Sequence, residues 1–501
     1  MKTYKSRCVQ SAPKSLLLGL GFLIFPAVAM GQSNNKPTDD SPTQPDLASL
    51  DMEQLMDVKV TTASLFSDKL SNAPGIMSVV TSDELRRFGG MTLGEVLQRV
   101  PGLTGTSQNF TDRSLVAALG DQTKTSGGHI LFLINGRPTR EVQEGGIISD
   151  LLESFPIGIL ERIEVIKGPG SVLYGSNAFS AVVNLITRKA QSAQVSADGL
   201  GGPDGTVASN TQMFYKRGDF SAVAAGQLHE EPDWPLTYTV PPAQRNSPIA
   251  PHVPFVQDVS LVDRGVGAYA QADYKGLSFM SAFTEWQSTA FVQGTVGETR
   301  LTRDFFNVGY DHKATQKWDM SFNVTDTRTT FGEVPYPSAQ RDSNDFIAEW
   351  TNLVTLTAHD RLTAGALFDR ISGTELFTGV TPAAVSATGS RPGGALYAQL
   401  DHQFGDKLKL IGGFQSNKDG SIALNTVPRG GAIWTPTPWA SINVWIRATI
   451  ALSSISMESS LPSLPSRCNH LMSSRASACT TSISRPATRL RGPIGPTPPP
   501  T

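Results

Sequence analysis

Side chains that could do chemistry are few in this sequence, and they are scattered. His229, His252 and His312 show no metal-ligand spacing, so no metal is assigned. The three cysteines are Cys8, Cys468 and Cys479, and the last two, 11 residues apart, imply no disulfide framework. No G-x-S-x-G, H-E-x-x-H or P-loop occurs. Gly168-Pro169-Gly170 lacks the lysine and helix start of a phosphate loop and reads as a turn. With no nucleophile, acid–base pair or metal cluster, an enzyme is not expected, nor is a cofactor. What stands out instead is β-prone. Val58-Lys59-Val60-Thr61-Thr62 alternates, and Ile163-Glu164-Val165-Ile166 alternates into Lys167-Gly168-Pro169-Gly170. His129–Ile134 is a buried-type strand that runs into Asn135-Gly136, the strongest short hairpin signal.

The elements that would position these segments follow from the whole chain. Its 501 residues carry 42 Lys+Arg against 44 Asp+Glu, a balance that argues against a dedicated nucleic-acid binder. A mean hydropathy of -0.15 excludes a bundle of transmembrane helices. A charged fraction of 17%, below the usual ~25%, with 46 Gly and 3 Cys, suits a secreted or outer-membrane β protein. Lys2, Lys5, Arg7 and Lys14 precede the apolar run Leu16–Ala29, and Ala27 and Ala29 bracket Val28. Residues 1–29 therefore read as a secretory signal peptide, cleaved after Ala29 or Gly31; a retained anchor is the alternative. Residues 30–46 read as a flexible periplasmic linker.

Mixed short helices and strands fill residues 47–190. Ile76–Thr81 is a strand candidate, Thr81 or Ser82 with Glu84 starts a helix, and Thr92 caps another that stops at Pro101-Gly102. Ala181–Thr187 closes a small α+β unit. Four stretches follow one another: Asn72–Thr81, Thr92–Gly102, His129–Pro138 and Glu161–Thr187, the last reading ERIEVIKGPGSVLYGSNAFSAVVNLIT. In them the chain resembles the plug domain of TonB-dependent outer-membrane receptors. The plug motif falls on Asn135, Gly136, Glu161, Gly168, Pro169, Tyr174, Gly175 and Asn184.

From residue 191 to 446 the pattern changes to period two. Val266, Ala268, Ala270 and Ala272 alternate with Gly267, Tyr269, Gln271 and Asp273; Trp318, Met320, Phe322 and Val324 alternate with Asp319, Ser321, Asn323 and Thr325. A β-sandwich gives the same alternation. The links decide more: tight turns near 217–218, 275–276, 314–317, 359–360 and 405–406 alternate with long polar segments at 230–264, 288–302, 329–344, 372–394 and 416–429. Short turns on one side and long loops on the other are the habit of outer-membrane barrels. The fold expected is therefore mainly β, an α+β plug inside or beside a transmembrane antiparallel β-barrel. About 12–13 strands are legible against the 22 of plugged transporters, so the barrel reads as truncated. Residues 447–501 are Ser-, Pro- and Arg-rich and lack Lys, Asp and aromatics; they read as an out-of-frame translation or as a disordered tail. An unclosed sheet edge in hydrocarbon would leave backbone groups unpaired at several kcal/mol each.

The resemblance implies active uptake across the outer membrane of a scarce ligand, such as an iron-siderophore, haem or cobalamin. Energy would come through TonB with ExbB and ExbD, and the barrel would be inserted into outer-membrane lipid by the barrel-assembly machinery. TonB adds a strand to an N-terminal segment, and Asp57, Val58, Lys59, Val60, Thr61, Thr62 and Ala63 form the TonB-box candidate. A first plug strand is the alternative for this segment. In the family, plug arginines lock to barrel glutamates, and one such arginine carries over to Arg162. Trp234, Tyr238, Phe255 and Trp286 could stack on a ligand or form an aromatic belt. A non-transporting surface-binding protein and a secreted soluble β-rich module remain as other classes.

Overall fold

A strand that is apolar at every position must be covered on both faces, and Ile130–Ile134 is such a strand. The computed structural model describes residues 59–60, 68–69 and 76–451, apart from 109–111, 118–128, 144–145, 147, 168–177, 179, 203–204, 246–253, 293–294, 335–337, 379–384, 406, 438–439 and 448–449. The segments read as signal peptide and linker, all three cysteines and residues 452–501 lie outside the described residues.

The N-terminal unit holds β1 (Lys59–Val60), β2 (Asp68–Lys69), β3 (Ile76–Thr81), α1 (Ser82–Phe88), α2 (Leu93–Gln98), β4 (Leu103–Gln108), β5 (Asp112–Ala117), β6 (Ile130–Ile134), β7 (Arg137–Pro138), α3 (Ser149–Ser154), β8 (Leu160–Lys167) and β9 (Ala181–Thr187). Its five-stranded sheet has the order β3-β8-β9-β6-β7, with β6 parallel to β9 and the other pairs antiparallel. Thr81 caps α1 in a capping box with Glu84, and the Thr92 hydroxyl accepts from the Glu95 N–H to cap α2. Alternate residues of β6 serve two cores. Ile130, Phe132 and Ile134 pack with Leu97, Leu151 and Phe155, while Leu131 and Leu133 pack with Val60, Ile166 and Val182. The first core is completed by Phe214, Val223, Tyr269, Met280 and Phe305, which belong to the second unit.

That unit is one antiparallel sheet: β10 (Gln194–Gly201), β11 (Val207–Arg217), β12 (Phe220–Thr239), β13 (Val256–Tyr274), β14 (Leu277–Val292), β15 (Thr295–Thr315), β16 (Trp318–Val334), β17 (Ser338–Thr355), β18 (Asp360–Thr378), β19 (Val385–Phe404), β20 (Leu408–Asp419), β21 (Asn425–Thr437) and β22 (Ala440–Arg447), paired in sequence order. β23 (Ile450–Ala451) continues β22 along β21 in the same register, so pairing runs past residue 446. Thirteen successive strands fall within the number legible in the sequence. Among the described residues no pairing joins β10 to β22. Outer connections are shorter than the polar segments suggested. Only residues 293–294 separate β14 from β15, and β15 itself is 21 residues long. A polar segment can stay in an antiparallel ladder when both of its faces are wet, so the strands extend beyond the ~10 residues that cross a hydrocarbon layer.

The wall is inside-out. Polar side chains such as Gln212, Asn307, Thr325, Asp345, Thr363 and Gln399 are buried on the face towards the plug, while Val308, Phe322, Val324, Phe368 and Leu396 are exposed on the other. Register places Phe220, Tyr274, Leu277, Tyr310, Phe322 and Trp350 in one outward cross-strand row. These residues are all exposed, and the Phe322 and Trp350 rings stack at 6.0 Å. Aromatic rings set among exposed apolar side chains on the outward face are what a membrane-facing wall presents. An arginine at Val324, among these side chains, is expected to cost about 2–4 kcal/mol in guanidinium unfolding from phosphatidylcholine vesicles, whereas an arginine at Thr330, farther along the same face, costs about 0–1. Equal costs at the two positions would remove the membrane-facing assignment.

Candidate functional site

The Asn135-Gly136 turn demands left-handed backbone at both positions, φ 48 and 81, which Asn and Gly tolerate best. The Gly136 N–H donates to Asn184 Oδ1 at 2.9 Å, and the Thr187 N–H donates to Asn135 Oδ1 at 2.9 Å. Asn135 Nδ2 donates to the Tyr269 hydroxyl at 3.0 Å, and Tyr269 donates to Gln271 Oε1 at 2.7 Å. Asn135, Gly136 and Asn184 are thus brought together to seat the hairpin against β13. Glu161 lies on β8. Gly168, Pro169, Tyr174 and Gly175 lie outside the described residues.

Helix α3, β7 and the segment after β7 carry charged contacts with the wall. Arg303 of β15 grips Asp150 of α3 with two bonds, Nε to Oδ2 at 2.8 Å and Nη2 to Oδ1 at 3.1 Å, and both side chains are at most 1% exposed. Thr284 of β14 donates to the same carboxylate at 2.6 Å. Arg140 grips Asp345 of β17 in the same two-pronged way, at 2.7 and 2.8 Å, and reaches Asp369 of β18 at 3.4 Å. Burial alone would lower the Arg140 pKa, but the two aspartates carry it above its ordinary value. Arg137 pairs with Glu349 of β17 at 3.2 Å. Backbone fit completes the contact: a Cβ at Gly267 of β13 would overlap the Ser154 carbonyl, so glycine lets the wall approach the end of α3.

Among the described residues Arg162 pairs with acids of its own unit. Its guanidinium pairs with Glu161 and, at 2.8 Å, with Glu164, which is fully buried; both acids are plug residues. It lies on β8, between β3 and β9, and among the described residues the ion pairs between plug and wall are those of Arg137, Arg140 and Asp150. Of the TonB-box candidate, Lys59 and Val60 pair with Lys69 and Asp68, and Val60 is 1% exposed against the plug sheet. Asp57, Val58, Thr61, Thr62 and Ala63 lie outside the described residues. Trp286 is fully buried and donates to Asp263 at 2.8 Å, so it is not a stacking surface. Phe255 is exposed with the Arg245 guanidinium over its ring at 5.0 Å, and the Tyr238 ring meets Phe291 at 4.8 Å.

Sequence reasoning passed over Arg137, Arg140, Asp150, Arg303, Asp345 and Glu349. A signal was present: Arg303 sits in period-two step with Leu301 and Phe305, all three buried, so a charge stands in a series of covered positions. Removing one partner of such a pair leaves the other charge buried, at about 3–5 kcal/mol. Asp150→Ala is therefore expected to speed hydrogen exchange in the α3 amides by roughly a hundred- to a few-thousand-fold, while Asp150→Leu with Arg303→Met returns it close to wild type. Unchanged exchange in Asp150→Ala would show that the pair does not hold the helix.

Two family models match the chain: the TonB-dependent receptor plug domain over residues 69–182, and the TonB-dependent receptor-like β-barrel over residues 248–453. The vitamin B12 transporter BtuB of Vibrio vulnificus is 32% identical over 176 residues, covering 34% of this chain and 28% of that protein. BtuB of Photobacterium profundum is 29% identical over 320 residues, covering 61% of this chain and 48% of that protein. The chain thus spans less than half the length of these curated relatives. The pyoverdine outer membrane receptor FpvA of Pseudomonas aeruginosa superposes with a TM-score of 0.56 at 14% identity, over 75% of this chain and 62% of that one, a likeness of fold alone. A plug sheet docked through buried ion pairs on an inside-out antiparallel wall, matched by both family models, makes this chain a member of the TonB-dependent receptor family.

Proposed function

We propose that this chain serves active uptake of a scarce ligand, such as cobalamin, haem or an iron-siderophore, across the outer membrane. The observation that carries the reading is the buried charge contact between plug and wall. A sheet that is apolar outside and polar inside is a wall between lipid and a wet interior, and a domain held in that interior closes the passage. The ligand approaches from the side of the 240–255 connection between β12 and β13, and energy arrives from the opposite side through TonB with ExbB and ExbD. The relatives named for vitamin B12 transport favour cobalamin as the first ligand to try.

The TonB contact falls to Asp57–Ala63. An extended segment recognised by strand addition is held through main-chain bonds, so it tolerates varied side chains but not a lost N–H. Val60 lies buried against Leu131, Leu133 and Val182, so pulling on this segment would load the plug sheet directly. Uptake also requires partners for the edges β10 and β22, because unpaired backbone groups in hydrocarbon cost several kcal/mol each. Proline substitution at each position from Val58 to Thr61 is expected to abolish cell uptake of radiolabelled cobalamin, or of a ferric siderophore, without weakening binding to outer membranes. Full uptake in all four variants would exclude the segment as the TonB contact. Binding of none of these ligands would exclude the transport reading and favour a surface protein of another kind.

A further inference from the structure

An unbroken sheet pairs each inner strand on both sides, and at one place this wall does not. β13 stays paired with β12 along its whole length, out to Val256 opposite Thr239, but its pairing with β14 ends at Asp263 opposite Ser288. β14 in turn stays paired with β15 out to Val292. Residues 256–262 of β13 and 289–292 of β14 therefore keep one neighbour each, and the two strands part. Between them lies a cleft of about 590 Å³, with Val256, Asp258, Ser260 and Val262 on one side and Thr289 and Glu298 on the other.

The fork itself is closed by a side chain. The Val262 N–H donates to the Thr289 hydroxyl at 2.7 Å, and that hydroxyl donates to the Ser260 carbonyl at 3.2 Å. These two bonds show which way the backbone is turned. In a strand the N–H and C=O of one residue point to the same side, and residues two apart point alike. Val262, Ser260, Asp258 and Val256 thus turn their main-chain groups towards β14, where the ladder has a partner up to Asp263 and none beyond. Pro235, opposite Ser260 on β12, agrees with this, since it has no N–H to give. Among the described residues no bond reaches the Ser260 N–H or the main-chain groups of Asp258.

A row of unpaired N–H and C=O groups is a template for an added strand. The cleft opens to water, because outward residues at this level of the wall are charged, as with Glu285 paired to Arg300. Its outward rim is acidic. Asp258 and Glu298 are exposed and stand on opposite sides of the gap. The Asp258 carboxylate accepts from the Thr237 hydroxyl at 2.8 Å and the Glu298 carboxylate from Gln287 Nε2 at 2.7 Å. Among the described residues neither carboxylate pairs with a cation.

We infer that the cleft between β13 and β14 takes an extended, basic segment of another polypeptide as an added strand. Main-chain pairing along Val256–Ser260 holds the segment, and Asp258 and Glu298 select cationic side chains on its outward face. The inference goes beyond uptake, and rests on that reading only for the side of the membrane on which the 240–255 connection lies.

Fluorescence anisotropy with the dye-labelled hexapeptide Lys-Val-Lys-Val-Lys-Val and the detergent-extracted full chain tests this. The wild type is expected to bind it about tenfold or more tightly than the same peptide N-methylated at alternate residues, which keeps every charge but loses main-chain donors. The Glu-Val hexapeptide is expected to bind about tenfold more weakly, and Asp258→Asn with Glu298→Gln to close that difference. Ser260→Pro, whose lost N–H lies outside the ladder with β12, is expected to weaken the Lys-Val peptide several-fold. Equal binding of the N-methylated peptide would show attraction by charge alone and overturn the added strand. An undiminished preference for the Lys-Val peptide in the acid-free variant would overturn the acidic rim as selector. A dimer of the chain that the peptide breaks apart would make a second copy the occupant and overturn the choice of partner. Binding by the extracted chain but not by intact cells upholds the cleft and refutes the outward orientation taken from the uptake reading.

Discussion

The grip of Arg303 on Asp150 is the contact from which the rest of the arrangement follows. Two charges at most 1% exposed can be tolerated only where geometry is good and further donors share the load, and Thr284 supplies one. That requirement fixes α3 against β14 and β15. With α3 held there, the Ser154 carbonyl comes to rest where Gly267 leaves room, and Phe155 meets the Tyr269 ring at 6.2 Å. A buried pair of this kind contributes little net stability compared with an apolar substitute, but it penalises every misplacement in which one partner loses the other. Its main effect is to fix where the plug docks. Tight packing comes from the shared apolar core, where Phe132 and Val183 of the plug join Val223, Met280 and Phe305 of the wall.

The wall obeys the opposite rule from a soluble sheet. Its inner face is polar because plug and water can pair with it, and its outer face is apolar because only an apolar medium can cover so many exposed Val, Leu and aromatic side chains. Where the strands run on beyond that medium the outward residues become charged, as with Glu285 paired to Arg300 and Asp326 paired to Arg328. Ladder pairing continues across the change, so backbone satisfaction rather than side-chain burial sets strand length.

Much of the plug was legible in the residues. Thr81 with Glu84, Thr92 and Asn135-Gly136 carry their structure in local chemistry, because a cap or a left-handed turn depends on neighbours two or three positions away. Strand number in the wall was legible too, because turn residues punctuate period-two runs. The reach of the strands was not, since a polar segment can pair as a strand or leave the sheet as a loop with the same composition. Arg162 shows another limit. Its motif placed it on a plug strand, but whether it faced a wall acid or the neighbouring Glu164 depended on how the sheet was turned inside the wall.

The sequence by itself determined the local elements, the two-unit organisation and the alternation of the wall, because each is written in spacings of a few residues. Only tertiary structure decided which face of the alternation turned inward. Period two is symmetric: Phe322, Val324 and Asn323, Thr325 could each have lined the interior. The choice came from contacts far apart in the chain, Asn135 with Tyr269, Asp150 with Arg303 and Arg140 with Asp345, whose partners are separated by 134 to 205 positions. No spacing rule reaches that far. The polar face turned inward because that is where these buried groups found partners.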